Sequence, residues 1–101
     1  MTIRVLAEAK RELQEAVAYY DGLQPELGRR LWQEIDEHIL WVSLHPEVAR
    51  LRRGGYRRVN LRVFPYFIAY IVRGDLIWVL AIGHARRLPE YWIRRTRDPG
   101  P

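Results

Sequence analysis

Three side chains that could bind anions or transfer protons, His84, Arg86 and Arg87, follow the apolar run LIWVLAI and one glycine. Tyr91 and Trp92 come shortly after them. Histidine exchanges protons near neutral pH, and guanidinium groups hold phosphates or carboxylates through paired hydrogen bonds. The segment could therefore grip an oxyanion while His84 or Tyr91 transfers protons. It could equally be a strand end in solvent. We favour a hydrophobic plug for Trp92, and a structural role or a partner contact for His84.

A second pair of arginines, Arg58 and Arg62, lies in the strand-like segment YRRVNLRV. Val59, Leu61 and Val63 alternate with them, so we expect one face of this strand to be buried and the other to present both arginines. The two arginines either join the cationic group at the end of the sheet or remain part of the solvated surface.

Several kinds of chemistry have no matching residues. The chain has no cysteine, its only serine is Ser43 at a helix end, and its two threonines lie near the termini, which leaves no arrangement for nucleophilic catalysis. The three histidines have no close ligand spacing and no acidic cluster beside them, so we expect no bound metal. No glycine-rich phosphate loop follows a strand, so we expect no cofactor.

The charge balance favours an anionic partner. The 101 residues carry a formal net charge of +5, and all but one of the basic residues are arginine. Arginine binds phosphate and carboxylate but is a poor proton shuttle, so the composition favours gripping a nucleic acid, a ribosome or an acidic protein. The chain has no cysteine, no signal-peptide order and no apolar run of about 20 residues, which indicates a cytoplasmic protein that does not enter a membrane.

A short strand, Thr2–Leu6, and an amphipathic helix open the chain. Apolar residues recur at steps of three and four from Ala7 onwards, and the Asp21–Gly22 pair is expected to end this helix. Glu12 belongs to the polar side, which predicts that it faces solvent.

A second amphipathic helix is predicted from near Pro25 to His45. Proline is tolerated at the first helical position, and the proline that follows His45 disfavours further helix. Arg30 and Glu34 lie one turn apart, which predicts a pair on the surface of this helix. The short link between the two helices indicates an antiparallel helical hairpin.

Two apolar runs, YFIAYIV and LIWVLAI, predict a β-hairpin with Gly74–Asp75 as its turn. The turn fixes a register in which these residues lie opposite each other: Val72 and Ile77, Ile71 and Trp78, Tyr70 and Val79. On that register Ala81 shares a face with Ile68, and Ile82 shares the other face with Ala69. The helical hairpin can cover one face. The C-terminal segment, a second copy or a partner must cover much of the other.

The predicted fold class is α+β, with the order β-α-α-β-β-β. A helical hairpin packs on a small antiparallel sheet, and a short C-terminal helix or turn follows. The first strand cannot pair locally, so it must join the later strands across the fold. We expect one domain over residues 1–96 and a disordered tail at residues 97–101.

The sequence resembles the RelE/ParE superfamily of bacterial toxins, and its ParE branch in particular. Two blocks carry the resemblance: AKRELQEAVAYYDGLQPELGRRLWQEID and RRVNLRVFPYFIAYIVRGDLIWVLAIGHARRLPEYW. The resemblance covers Val5 to about Arg95. Its most specific parts are Phe64-Pro65-Tyr66, Tyr70, the Gly74–Asp75 turn, His84-Ala85-Arg86-Arg87, Pro89 and Trp92. It implies the toxin of a type II toxin–antitoxin pair, wrapped in a hetero-oligomer by the acidic and apolar tail of its cognate antitoxin.

The superfamily contains two activities. ParE-like members bind DNA gyrase and block it without hydrolytic chemistry of their own. RelE-like members enter the ribosome and cleave mRNA, with the 2′-hydroxyl as nucleophile. If this chain followed the RelE pattern, a sheet arginine would be Arg58 or Arg62, and the catalytic residues would be His84, Arg86 and Tyr91.

The sequence departs from the RelE pattern in one respect. RelE-type sites commonly use lysines on the sheet, whereas the only lysine here is Lys10, on the first helix. The resemblance therefore favours gyrase inhibition, with mRNA cleavage as the alternative and no catalytic residue assigned with confidence. The residues expected to contact the target or the antitoxin are Arg58, Arg62, His84, Arg86, Arg87 and Tyr91. A non-toxic binding module or a nucleic-acid-binding domain also stays open.

Overall fold

The chain forms one helical hairpin packed on a four-stranded sheet. The structure, a computed structural model, describes residues 1–87 and 91–97. Its elements are β1 (Thr2–Val5), α1 (Ala7–Leu23), α2 (Leu27–Leu44), β2 (Arg57–Asn60), β3 (Tyr66–Arg73), β4 (Leu76–His84) and a C-terminal 3₁₀ turn (Ile93–Thr96). This confirms the α+β class and the predicted order of elements.

The sheet is mixed, which corrects the prediction of an antiparallel sheet. Its strand order is β1-β4-β3-β2, so β1 does join a later strand across the fold. However, β1 runs parallel to β4, with Thr2 opposite Leu76 and Val5 opposite Val79. The alternation of apolar residues reports which face of a strand is buried but not the direction of its neighbour, so the sequence could not distinguish the two pairings.

The β3–β4 hairpin keeps the predicted register only near its turn. Gly74 adopts a φ of 62°, and all three predicted pairs next to the turn are present. Beyond them a β-bulge shifts the register, so that Ala81 lies opposite Ala69 and Ile82 opposite Ile68. The bulge exchanges the predicted faces of Ala81 and Ile82, because one extra residue in a strand reverses the direction of the side chains that follow.

The helical hairpin covers one face of the sheet, here called the helix face. Its core joins α1 and α2 to the sheet through Ala9, Leu13, Ala16, Leu31, Ile35, Ile68, Val79 and Ile82. The turn between the helices is fixed by Gly28, whose N–H donates to Oδ1 of Asp21 at 2.9 Å. A Cβ on Gly28 would lie 2.5 Å from the carbonyl oxygen of Val17, so the close approach of the helices requires glycine here.

The C-terminal segment covers the opposite face, here called the back face. Trp92 is 1% exposed and lies in a core with Tyr56, Phe67, Ala69, Ile71, Leu80 and Ala81. The ring of Trp92 packs edge-on against Tyr56 with centroids 4.5 Å apart. This confirms the expectation that Trp92 closes the core.

Parts of the predicted C-terminus lie outside the described residues. Pro89 is one of them, and so are residues 98–101 of the tail expected to be disordered. Within the described residues, the structure contains no helix both long and apolar enough to cross a membrane.

Candidate functional site

The end of β4, α1 and the C-terminal segment form a small cavity on the helix face of about 160 Å³. It brings together three of the residues singled out in the sequence, His84, Arg87 and Tyr91. Two glutamates of α1, Glu12 and Glu15, line the same cavity. The cavity therefore contains acidic as well as cationic and aromatic side chains, whereas the sequence suggested an anion-binding site without acidic residues.

His84 is held at the last position of β4. Its ring lies 5.1 Å from that of Tyr66, its partner across the β3–β4 pair. The backbone N–H of Arg86 donates to Nδ1 of His84 at 3.0 Å. Nδ1 must therefore carry a lone pair, which leaves Nε2 as the only ring position for a proton in this arrangement.

Tyr91 is engaged in contacts within the chain. Its hydroxyl donates a hydrogen bond to Oε2 of Glu12 at 2.7 Å, and the guanidinium of Arg87 lies 3.9 Å from the centre of its ring. Burial, then the hydrogen bond to Glu12 and its negative charge, raise the pKa of Tyr91, and the charges of Arg87 and Arg95 oppose this only in part. The phenol therefore stays protonated at neutral pH, and its O–H group is occupied by the hydrogen bond to Glu12.

Glu12 connects three elements, a role that the sequence did not reveal. Its carboxylate accepts hydrogen bonds from Tyr91, from the backbone N–H of Ile82 at 3.0 Å and from the guanidinium of Arg95 at 3.1 Å. Arg95 also donates to the carbonyl oxygen of Leu80 at 2.9 Å. The prediction that Glu12 faces solvent is therefore wrong, because partners distant in the chain complete its hydrogen bonds.

The two arginines after β4 lie in a turn rather than on an extended strand. Arg86 and Arg87 are both exposed, and Arg87 lines the helix-face cavity with His84. The N–H of Arg87 donates to the carbonyl oxygen of His84 at 3.0 Å, so the chain turns here. Alternation between faces holds only along an extended strand, and β4 ends at His84.

Arg58 and Arg62 lie apart from this cavity and from each other. Arg58 is half-buried on the back face, with its guanidinium 4.0 Å from the centre of the Phe67 ring. Arg62 lies beyond the end of β2, in the connection to β3, and is exposed. The predicted strand through Val63 is wrong because β2 ends at Asn60, and the side chain of Val63 is 75% exposed.

A buried carboxylate explains why β2 ends early. Glu34 of α2 is 9% exposed, and its oxygens accept hydrogen bonds from the backbone N–H groups of Arg62, Val63 and Phe64 at 2.7 to 3.3 Å. These N–H groups therefore bind Glu34 instead of a neighbouring strand. The prediction of a surface pair between Arg30 and Glu34 is wrong for the same reason.

The environment of Glu34 favours its charged form. Burial by itself would raise its pKa, but the hydrogen bonds from Val63, Arg62 and Phe64, together with the charge of His38, lower the pKa below its ordinary value. Sequence spacing gave no signal for this contact, because the donors are backbone groups about 30 positions away.

A larger groove of about 680 Å³ runs between α2 and the β2–β3 connection that Glu34 holds. Arg30, His38 and Trp41 of α2 line one side, and Arg62 and Val63 line the other. The groove also contains Glu37, so basic, acidic and aromatic side chains lie together on this surface.

Most of the described arginines form no ion pair with another described residue. Within residues 1–87 and 91–97, the only ion pair with a carboxylate joins Arg95 and Glu12. The other arginines in this part of the chain leave their charge available to an external partner.

The fold and these surfaces define a small, arginine-rich protein of α+β architecture. The chain belongs to the ParE toxin family: residues 3–89 match the family model described as the ParE toxin of the type II toxin–antitoxin system, parDE. This confirms the ParE branch and a ParE-type toxin, and nothing in the comparisons supports the RelE-type alternative.

A solved structure has the same fold. It is a chain described as the chromosomal ParDE TA (toxin–antitoxin) system from P. aeruginosa, with a TM-score of 0.75 and 22% sequence identity. The match covers 85% of the present chain and 97% of that chain. No curated relative matches the chain.

Proposed function

We propose that this ParE-family toxin blocks DNA gyrase by binding to it, without a hydrolytic step, and that a cognate antitoxin with an acidic and apolar segment neutralises it. The exposed pair Arg86 and Arg87, with His84 and Tyr91 beside them, supplies the gyrase-binding surface at the end of the sheet. Membership of the ParE family supports the toxin activity. The choice of DNA gyrase as the target goes one step beyond that membership.

A non-catalytic mechanism is supported by one observation: His84 and Tyr91, the two candidates for proton transfer, are both hydrogen-bonded within the chain. The hydroxyl of Tyr91 donates a hydrogen bond to Glu12, and Nδ1 of His84 accepts a hydrogen bond from the N–H of Arg86. Burial and Glu12 raise the pKa of Tyr91, which makes it a poor proton donor to a leaving group. The only lysine, Lys10, is exposed on α1. Binding needs none of these groups to change protonation.

Two surface properties support a partner that is both acidic and apolar. Among the described residues, Arg95 is the only arginine that forms an ion pair with a carboxylate. Large apolar side chains are exposed on α2 and on the connection that follows it: Trp32, Leu40, Trp41, Leu44, Val48 and Leu51. An antitoxin segment with both kinds of side chain would neutralise the charge and cover the apolar surface.

The proposal is tested by adding purified toxin to two parallel assays. One measures supercoiling of relaxed plasmid by DNA gyrase, and the other measures translation together with cleavage of ribosome-bound message. We expect supercoiling to stop while message stays intact. Cleaved message with normal supercoiling would contradict the proposal, and so would the absence of both effects.

A double substitution tests the gyrase-binding surface. Arg86→Ala with Arg87→Ala should leave the fold intact, because both side chains are exposed, but should raise the toxin concentration that halves supercoiling by about tenfold or more. The matched control is Arg11→Ala with Arg29→Ala, which removes the same charge from exposed positions on α1 and α2. Equal losses in both variants would show a general charge effect rather than a local surface.

A further inference from the structure

The densest positive charge of the chain lies between residues 50 and 62, where six arginines occur without an acidic residue. This segment follows α2 and includes β2. Arg57 is already engaged, since its guanidinium donates to the carbonyl oxygens of Glu47 and Ala49 at 3.1 and 2.6 Å. These contacts tie the segment before β2 to the edge of the sheet.

A tight turn places Arg52 next to β2. The N–H of Arg52 donates to the carbonyl oxygen of Tyr56 at 2.8 Å, and the N–H of Gly55 donates to the carbonyl oxygen of Arg52 at 3.0 Å. Gly54 and Gly55 have φ values of 99° and 84°, in the region that favours glycine. The backbone hydrogen bonds of the turn in RRGGY therefore hold Arg52 beside β2, without any side-chain contact.

Arg58 lies close to Arg52 on the back face, because Tyr56, the bridge partner of Arg52, precedes Arg58 by only two positions. The Arg58 guanidinium stacks on Phe67 at 4.0 Å, and its Nε donates to Oδ1 of Asn60 at 3.0 Å. Burial, and then the positive charge of Arg52, lower the pKa of Arg58, with a smaller opposing effect from Tyr56. Both arginines are half-buried, and neither forms an ion pair with a carboxylate in the described part of the chain.

Arg52 also has an unsatisfied donor. Its Nε is buried and has no hydrogen-bond acceptor among the described residues. The second buried side-chain donor in this condition, Nε1 of Trp92, belongs to the core of the same back face. A buried donor without an acceptor is costly, and an oxyanion is the group that satisfies a guanidinium while neutralising like charges.

We propose that Arg52 and Arg58 form a clamp on the back face that binds a carboxylate side chain of an acidic, apolar protein segment. This deepens the proposed function and rests on it, because the segment is the neutralising part of the antitoxin. Neither Arg52 nor Arg58 lines the cavity that contains His84 and Tyr91. Neutralisation at the clamp and gyrase binding at the strand end therefore use different residues.

The surroundings favour a protein segment over a nucleic acid. Val48 and Leu51, in the same connection as Arg52, are exposed apolar side chains. Arg58 stacks on Phe67 and bonds Asn60 through Nε, which leaves its two terminal nitrogens for a planar, bidentate acceptor such as a carboxylate. A phosphate backbone would use the charges but would leave Val48 and Leu51 uncovered.

The test measures binding of a short fluorescein-labelled peptide of alternating Glu and Leu residues by anisotropy. The variant is Arg52→Gln with Arg58→Gln, and the matched control is Arg11→Gln with Arg29→Gln. Losing both charge-assisted contacts should weaken peptide binding by about tenfold or more in the variant and by about threefold or less in the control. A peptide with Gln in place of Glu should bind neither protein measurably. Folding of each variant is checked by thermal unfolding.

Every other outcome overturns the clamp. Absence of binding to the natural sequence, equal weakening in variant and control, or tighter binding of a single-stranded RNA of similar length at matched salt would each contradict it. Gyrase supercoiling is measured with the same proteins, and the clamp variant should still inhibit gyrase. If the natural sequence does not inhibit gyrase, the gyrase proposal fails, whereas unchanged peptide binding by an inhibitory clamp variant refutes the clamp alone.

Discussion

Replacing Trp92 with alanine should lower the free energy of unfolding by about 3–5 kcal/mol, because it removes a large, fully buried side chain and leaves a cavity. Trp92 is 1% exposed and is the main apolar contact between the C-terminal segment and the back face. A domain of this size is stable by about 5–15 kcal/mol, so the loss is a large share of the total. Urea unfolding followed by circular dichroism measures it directly.

The matched control for Trp92 is another tryptophan. Trp32 lies on α2 and is 45% exposed, so Trp32→Ala should cost about 1 kcal/mol or less. A small effect of Trp92→Ala, similar to that of Trp32→Ala, would mean that the back face does not depend on the C-terminal segment. In that case a partner, rather than this segment, would have to close the core.

Glu34→Gln should lower the free energy of unfolding at neutral pH by about 2–4 kcal/mol, because it replaces a charged acceptor of three backbone N–H groups. Glutamine keeps one acceptor oxygen but turns an NH₂ group towards N–H donors of Arg62, Val63 and Phe64. Some of those N–H groups would then be buried without an acceptor. Urea unfolding of the two proteins at the same pH gives the difference.

The effect of Glu34→Gln should depend on pH in a defined direction. The pKa of Glu34 is lower in the folded protein than its ordinary value of 4.5, so its contribution to stability is fully present above that value. The contribution is lost as the pH falls through the folded pKa. The stability difference between the natural protein and the variant should therefore be largest near neutral pH and should shrink as the pH falls below 4.5.

Glu37→Gln serves as the control for Glu34→Gln. Glu37 is an exposed glutamate on the same helix and lines the groove beside the β2–β3 connection. We expect its replacement to change the free energy of unfolding by about 0.5 kcal/mol or less at both neutral and acidic pH. A pH-independent loss at Glu34, or an equal loss at Glu37, would contradict the assignment of Glu34 as the carboxylate that holds the connection.

The connection held by Glu34 also matters for binding. It ends the edge strand β2 at Asn60 and presents Arg62 and Val63 to the surface groove along α2. Because the backbone of this segment is fixed before a partner arrives, less conformational freedom is lost on binding.

The sequence by itself determined the features that depend on short-range pattern. The spacing of apolar residues predicted both helices, and the proline after His45 predicted where α2 ends, since these signals act within a turn or two of helix. The Gly74–Asp75 turn predicted the register of the hairpin next to it. The apolar sheet face left uncovered by the helical hairpin predicted that Trp92 would close the core, and Trp92 is buried there.

Only the tertiary structure decided the features that depend on distant partners. The direction of β1, the bulge that exchanges the faces of Ala81 and Ile82, and the burial of Glu12 and Glu34 all result from contacts across the fold. A glutamate on the polar side of an amphipathic helix has the same sequence signature whether it meets water or backbone N–H groups. The two cases differ only in what the rest of the chain brings to it, and that is set by packing rather than by local pattern.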